Sequence, residues 1–284
     1  MSAHRTLPRR LAASFTAATA LALLAGCAGG AGGSTPAGEG EASYVTPGTL
    51  TICGNLGTPP NIFAEADGTP VGAEVDIAKA MAEQLEVPIE VKEYAFSGLI
   101  PALQARQCDV IMSSLYIKPE REEVADFVPY LRSGSGVATS KENPKDITGL
   151  DDSLCGQNVV AITGATGASL VEEQSATCTA GGEDAINVTL TDRPADALQQ
   201  VIAGQLDAFV DSAEIVNYYE KESGGQFVPV GDQIGVIDIG AATLKDNAAL
   251  HEALQEAFDA IVADGTYARI LETWGLQKQD ITAS

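Results

Sequence analysis

Histidine is almost missing from this 284-residue chain, which contains two. His4 lies in an amino-terminal stretch that reads as a removable export signal, so His251 would stand alone in the mature protein. A histidine-based catalytic triad and a multi-histidine metal site are thereby excluded. Also lacking are Gly-x-Ser-x-Gly, His-Glu-x-x-His, Cys-x-x-Cys and a phosphate-binding loop with Gly-Lys-Ser/Thr. Any catalysis would have to rest on carboxylates, lysine or tyrosine, and the expectation is a protein without cofactor, metal or chemistry of its own. Basic residues are few, 16 against 39 acidic ones, for a formal net charge of −23. A chain this acidic is no partner for nucleic acid. The one apolar stretch at the amino terminus falls short of the roughly 20 residues needed to cross a bilayer.

What that terminus does contain is an export pattern. Arg5, Arg9 and Arg10 precede an uncharged stretch from Leu11 to Ala25, which ends in Gly26-Cys27. Leu24-Ala25-Gly26-Cys27 has the form of a bacterial lipobox, which assigns residues 1–26 to a lipoprotein signal peptide and makes Cys27 the acylated first residue of the mature chain. Ordinary secretion with Cys27 incidental is the alternative. More than one acyl chain anchors stably where a single one binds only marginally. The expected location is therefore extracytoplasmic, with a lipid anchor in the cell membrane. From Ala28 to about Ser43 the residues are mostly Gly, Ala, Ser, Thr, Pro and Glu, so 27–45 reads as a flexible tether. Cleavage would remove three basic residues and no acidic one, leaving 13 against 39 and a charge of −26.

The remaining stretch of about 240 residues suits one two-lobed unit or two small domains. Strand and helix signals alternate through it. Thr49 to Gly54, Ile89 to Tyr94 and Asp109 to Ser113 read as strands, with helices at Glu74 to Leu85 and after a capping Ser97. That run predicts a parallel sheet. Asn158 to Thr163, Ala168 to Gln174, Asn187 to Leu190, Pro194 to Ala203 and Asp207 to Val210 repeat the pattern and predict a second α/β lobe. A long amphipathic helix, Ala248 to Ala263, closes the chain.

The segment Ser113-Ser114-Leu115-Tyr116-Ile117-Lys118-Pro119-Glu120-Arg121 carries the strongest chemical signal. It places two hydroxyls at the carboxyl end of a strand, and Pro119 opens a helix from which Arg121 can offer a planar bidentate fork. Ligands bind at that edge of open α/β sheets, so the grouping suits a small carboxylate. A structural arginine paired with Glu122 or Asp126 would leave the same trace.

Val71-Gly72-Ala73-Glu74-Val75-Asp76-Ile77-Ala78, Phe96-Ser97-Gly98-Leu99-Ile100-Pro101-Ala102-Leu103, the Ser-Ser to Pro-Glu-Arg segment with Asp126-Phe127-Val128-Pro129-Tyr130, and Asp264-Gly265-Thr266-Tyr267-Ala268-Arg269-Ile270 with Trp274-Gly275 follow one another in order. In that order and spacing they resemble the amino-acid-binding proteins of ABC importers, solute-binding protein family 3. The resemblance implies a two-lobed periplasmic-binding-protein fold of type II, each lobe a mostly parallel sheet flanked by helices, with two hinge strands between them. Lobe 1 would comprise 46–138 with 236–284 and lobe 2 139–235, the chain crossing near Val137 to Lys141 and near Gly231 to Gly240. The even count of four remaining cysteines outside the cytoplasm suggests two disulfides, and of the three possible pairings Cys53 with Cys108 and Cys155 with Cys178 keep each bridge within one of these lobes; free buried thiols are the alternative.

Carried over residue by residue, Arg121 matches the carboxylate-binding arginine of the family, and Ser113 and Ser114 match contacts near the α-groups. Thr166, in a Gly164-Ala165-Thr166-Gly167 turn, matches a hydroxyl that reaches the carboxylate after closure; a plain helix cap is its alternative. Asp211 matches the acceptor of the α-ammonium, or caps the next helix, or does both. Phe96 matches an aromatic against the ligand side chain; a plain core residue is its alternative. Asn55 stands where binders of basic amino acids often carry an acid, which argues mildly against lysine or arginine. Tyr116 and Lys118 replace small hydroxyl residues, so Tyr116 either joins the ligand set or lies on the surface. Glu74 and Asp76 are read as first-turn acids that suit a helix dipole. The function implied is capture of a small zwitterionic ligand, an amino acid or a similar solute, by a monomer that delivers it to an ABC permease. A carboxylate-processing enzyme of the cyclohexadienyl dehydratase kind and a sensor for a membrane receptor are the alternatives.

Overall fold

A computed structural model of the chain describes residues 42–283. The predicted signal peptide, Cys27 and most of the predicted tether lie outside the described residues.

The first strand, β1 (Leu50–Gly54), is buried along its whole length, as a strand covered on both faces has to be. It pairs in parallel with β5 (Ile89–Glu93) and β6 (Val110–Ile111). Parallel neighbours need crossovers, and these are α1 (Ala73–Gln84) and α2 (Leu99–Gln104). Three short strands, β2 (Gly57–Thr58), β3 (Ile62–Ala64) and β4 (Pro70–Val71), form a small separate sheet between β1 and α1. A one-turn helix, α3 (Pro119–Glu122), leads into the long β7 (Ala125–Ser140).

The second half repeats the pattern with β8 (Asn158–Ile162), α4 (Thr166–Gly181), β9 (Asn187–Thr191), α5 (Pro194–Ile202) and β10 (Ala208–Ser212). Then come α6 (Ala213–Glu222), β11 (Phe227–Leu244), α7 (Ala248–Ala263) and α8 (Thr266–Trp274). All the long strands lie in one sheet of order β5-β1-β6-β11-β7-β10-β8-β9. At its centre β7 and β11 run antiparallel from Ser140 opposite Phe227 to Ala125 opposite Leu244. Their register slips between Val230 and Ile234, between Ile234 and Ile237, and again at Ile239/Gly240. These irregularities loosen the ladder where the chain passes from one half to the other.

Separate apolar cores hold the two halves. Leu50, Ile52, Ile77 and Met81 pack with Leu250, Leu254, Phe258 and Tyr267, so the closing helices belong to the first half. Val160, Ile162, Leu198, Val201, Phe209 and Phe227 form the core of the second. The bridges Cys53–Cys108 and Cys155–Cys178 are present, with Cα–Cα separations of 5.7 and 5.6 Å, and each lies within one half.

Two local expectations need correction. Ser97 caps no helix: Phe96–Gly98 is a 3₁₀ turn, and α2 starts after Gly98 without a side-chain cap, because the Ser97 backbone lies against Gly164 of the other half. The α4 helix runs on to Gly181, past weak helix formers, because buried Cys178 is tied to Cys155. Glu74 stands in the first turn of α1, as expected, and is also buried. Packed between the sheet, α7 and α8, α1 buries nearly its whole first turn, and Glu74 is 0 % exposed.

Candidate functional site

The β6 strand ends at Ile111, and the chain turns at Ser113-Ser114, both buried. Ser114 holds a left-handed backbone, φ 50°, a strained conformation for a residue with a side chain. The turn is held from three sides. Asn55 N–H donates to Ser113 Oγ at 2.8 Å, Asn61 Nδ2 donates to Ser114 Oγ at 2.7 Å, and Ser114 N–H donates to Glu74 Oε1 at 2.6 Å. Tyr130 O–H gives the same Glu74 oxygen a second bond at 2.6 Å. Burial pushes the Glu74 carboxyl up to about 7, against the pull of these donors.

Arg121, on α3, folds back so that Nη1 donates to the Tyr116 carbonyl at 2.8 Å. Its Nη2 reaches the Gly164 carbonyl of the second half at 3.4 Å, and its Cζ lies 5.7 Å from the centre of the Phe96 ring. Phe96 packs against the cores of both halves. No carboxylate lies within ion-pair distance of Arg121 among the described residues, so pairing with Glu122 or Asp126 is not what holds it. Burial draws its pKa down, with Glu120 opposing.

From Gly164 the turn leads into α4. Gly167 packs so closely on β10 that a Cβ there would meet the Val210 carbonyl oxygen at 2.6 Å and the Asp211 Cα at 3.4 Å. One turn therefore carries Arg121 at its start and Asp211 at its end. Between them Thr166 is buried at 8 % exposure; its hydroxyl makes no helix cap and has no partner. Asp211 is 5 % exposed. One of its oxygens accepts from Ser212 N–H at 2.8 Å, and the other, Oδ2, has no partner. Burial pushes its carboxyl up to about 7; Ser212 N–H opposes and nearby Glu214 adds to the rise.

Tyr116 is not at the surface. It is 3 % exposed, donates to the Gly134 carbonyl at 3.0 Å and lies beside Ser133, Ser212, Glu214 and Asp211. Lys118 pairs with Glu120 at 3.7 Å on the rim. Asn55 is buried, and its side-chain oxygen accepts from Gly57 N–H at 3.1 Å. A cavity of about 370 Å³, lined by none of the predicted site residues, opens between the Leu56 to Ala64 loop and α5 with α6.

The eight residues singled out in sequence thus gather around the Ser113 turn, the Gly164 turn and the end of β10. Asn61, Tyr130, Ser133 and Glu214 were missed, and Glu74 was placed in a first turn without its burial being foreseen. Glu214 reads as an ordinary first-turn acid of α6, yet it is 3 % exposed, accepts from Asn61 Nδ2 at 3.0 Å and also accepts from the Ser133 hydroxyl. Burial raises its pKa. Nothing in residue spacing announces such contacts.

A cleft between two α/β lobes, with a guanidinium that has no carboxylate partner near one end of a turn and a half-satisfied carboxylate at the other, defines a solute-binding protein of the type II fold. The chain belongs to the bacterial extracellular solute-binding proteins, family 3, whose profile matches residues 50–277. It is similar to the arginine-binding protein ArgT of Corynebacterium glutamicum, 30% identical over 234 residues that cover 81% of this chain and 75% of that protein. Among solved structures it is similar to an ancestral arginine-binding protein bound to glutamine, with a TM-score of 0.74 and 31% identity over 81% of this chain and 98% of that one. An ancestral amino acid-binding protein described as a precursor of cyclohexadienyl dehydratase also matches, with a TM-score of 0.72 and 28% identity over 80% of this chain and 95% of that one. No helix among the described residues is long and apolar enough to cross a membrane.

Proposed function

We propose that this protein captures a zwitterionic amino acid between lobes 46–138 with 236–284 and 139–235, and delivers it to an ABC permease without altering it. The observation that carries the reading is the set of unspent groups around one turn: Arg121 without a carboxylate, the Thr166 hydroxyl without a partner, and Asp211 with one buried oxygen unsatisfied. A buried carboxylate left in that state is costly until a cation meets it. An amino acid supplies both complements, its α-carboxylate to Arg121 and Thr166 and its α-ammonium to Asp211. Ser113, Ser114 and Tyr116 would line the space between, and Phe96 and Asn55 would bound the side chain. The relatives named as arginine-binding make arginine and glutamine the first solutes to try, although Asn55 supplies no acid for a basic side chain. Export through the 1–26 signal, acylation of Cys27 and the 27–45 tether would keep a monomeric receptor within reach of a membrane permease.

Calorimetry on the fragment Ala28 to Ser284, which contains the whole described body, tests this against L-arginine and L-glutamine. Arg121→Ala should lower affinity at least about a hundredfold, since losing one partner of a buried charge pair costs about 3 kcal/mol. Unchanged affinity in that variant would remove Arg121 from the site. Solute recovered chemically changed after incubation would favour the enzyme alternative.

A further inference from the structure

Asn61 and Glu214 meet across the cleft, where the Asn61 amide nitrogen is fully spent and only its Oδ1 is left without a partner. Asn61 sits in the loop between β2 and β3, fully buried; its carbonyl accepts from Glu74 N–H at 2.8 Å. Its amide spends both hydrogens, one on Ser114 Oγ at 2.7 Å and one on Glu214 Oε1 at 3.0 Å. Glu214 stands in the first turn of α6, on the second half, next to Ile215 and Val216 of that half's core. Its other oxygen takes the hydroxyl proton of Ser133, on β7. A continuous chain of hydrogen bonds therefore runs from Tyr130 through Glu74, Ser114 and Asn61 to Glu214 and Ser133. Every side chain in it is buried.

We infer that the Asn61–Glu214 contact is a latch that fastens the two lobes to each other directly, so that the closed cleft is populated before any solute arrives. The bond joins a carboxyl oxygen to an amide N–H in a dry place, where such bonds are at their strongest. It exists only while the lobes are together, because Asn61 lies in the β2–β3 loop seated on α1 of the first half and Glu214 in α6 of the second. Opening returns Glu214 to water, and its bond to Asn61 is the term lost. The same amide orients the Ser114 hydroxyl, so latch and ligand turn share one side chain. Phe63 and Tyr218, with ring centres 6.4 Å apart, meet across the same mouth. The inference rests on the two-lobed reading and is independent of which solute is bound.

The test is the distance between dyes at Ala66→Cys and Gln199→Cys, exposed positions on either side of the cleft mouth, in the fragment Ala28 to Ser284 without ligand. A short-distance population should be present, and Asn61→Ala should cut the ratio of closed to open molecules about tenfold, which corresponds to about 1.4 kcal/mol. Asn61→Asp sets a like charge against Glu214 with little change of volume and should open the cleft further. Glu214→Gln keeps an acceptor for Asn61 and should restore most of the closed population that Glu214→Ala loses. Adding Asn61→Ala to Glu214→Ala should open it no more than either change alone. Circular dichroism on each variant separates opening from unfolding. A wholly open protein without solute, or distances that the two alanine variants leave unmoved, overturns the latch. No solute is present, so an error in the proposed ligand can neither produce nor hide either result.

Discussion

Asp211 is the residue whose state depends most on what fills the cleft. With its carboxyl raised to about 7 by burial, much of it is protonated near neutral pH in the empty site. An α-ammonium stabilises the ionised form, so binding should expel a proton and tighten as pH rises from about 5 to 7. Calorimetry in buffers of different ionisation enthalpy reads that proton directly; Asp211→Asn should bind about a hundredfold more weakly and lose the pH dependence. The empty protein should behave oppositely. Asp211 and Glu74, also raised to about 7, bind more protons folded than unfolded above their ordinary carboxylate range. Their stabilising share, complete at low pH, is lost as pH approaches 7, and denaturant titrations at pH 5 and 7.5 should show the decline. Arg121 was legible in sequence because a proline and two hydroxyls fixed its place on a strand-to-helix turn. Glu214 was not, because an acid in a helix's first turn looks the same whether it faces water or another lobe.

At the level of elements, the turns that meet at the cleft depend on close backbone approach. Gly72 has φ 126°, and a Cβ there would stand 2.2 Å from the Asn61 carbonyl oxygen. That contact starts α1 directly beneath the loop that carries Asn61. Gly72→Ala should therefore destabilise the fold by about 3 kcal/mol through strain and overlap together, and should weaken ligand binding as the loop shifts; urea unfolding and calorimetry check the two effects separately. Helix α7 was predicted to the residue, because its apolar stripe has one face to bury. Helix α1 was placed to within a residue at each end, but its burial on two sides, by the sheet and by the closing helices, is a tertiary outcome.

For the whole molecule, stability is lodged in the lobes and motion in the strands between them. The Cys53–Cys108 bridge closes a span of 55 residues and Cys155–Cys178 one of 23, each inside its own half. Loop-closure entropy puts their contributions at about 4 and about 3 kcal/mol. Cys53→Ser with Cys108→Ser should lower the melting temperature more than the paired change at Cys155 and Cys178, and neither should abolish closure, since no bridge spans β7 and β11. Differential scanning calorimetry and the same dye distances would show both.

Local pattern alone determined a good deal: the alternation of strands and helices, the parallel pairing of strands within each half, and the place of Ser113 and Ser114 just past the end of a strand. Each of these follows from periodicity, turn chemistry or composition, which act over a few residues. Tertiary structure decided which acids are buried, that Tyr116 lies inside rather than outside, and that Asn61 finds Glu214 from 153 residues away. Those outcomes depend on how two separately packed cores come together, and contact across such a gap leaves no mark on the spacing of residues along the chain.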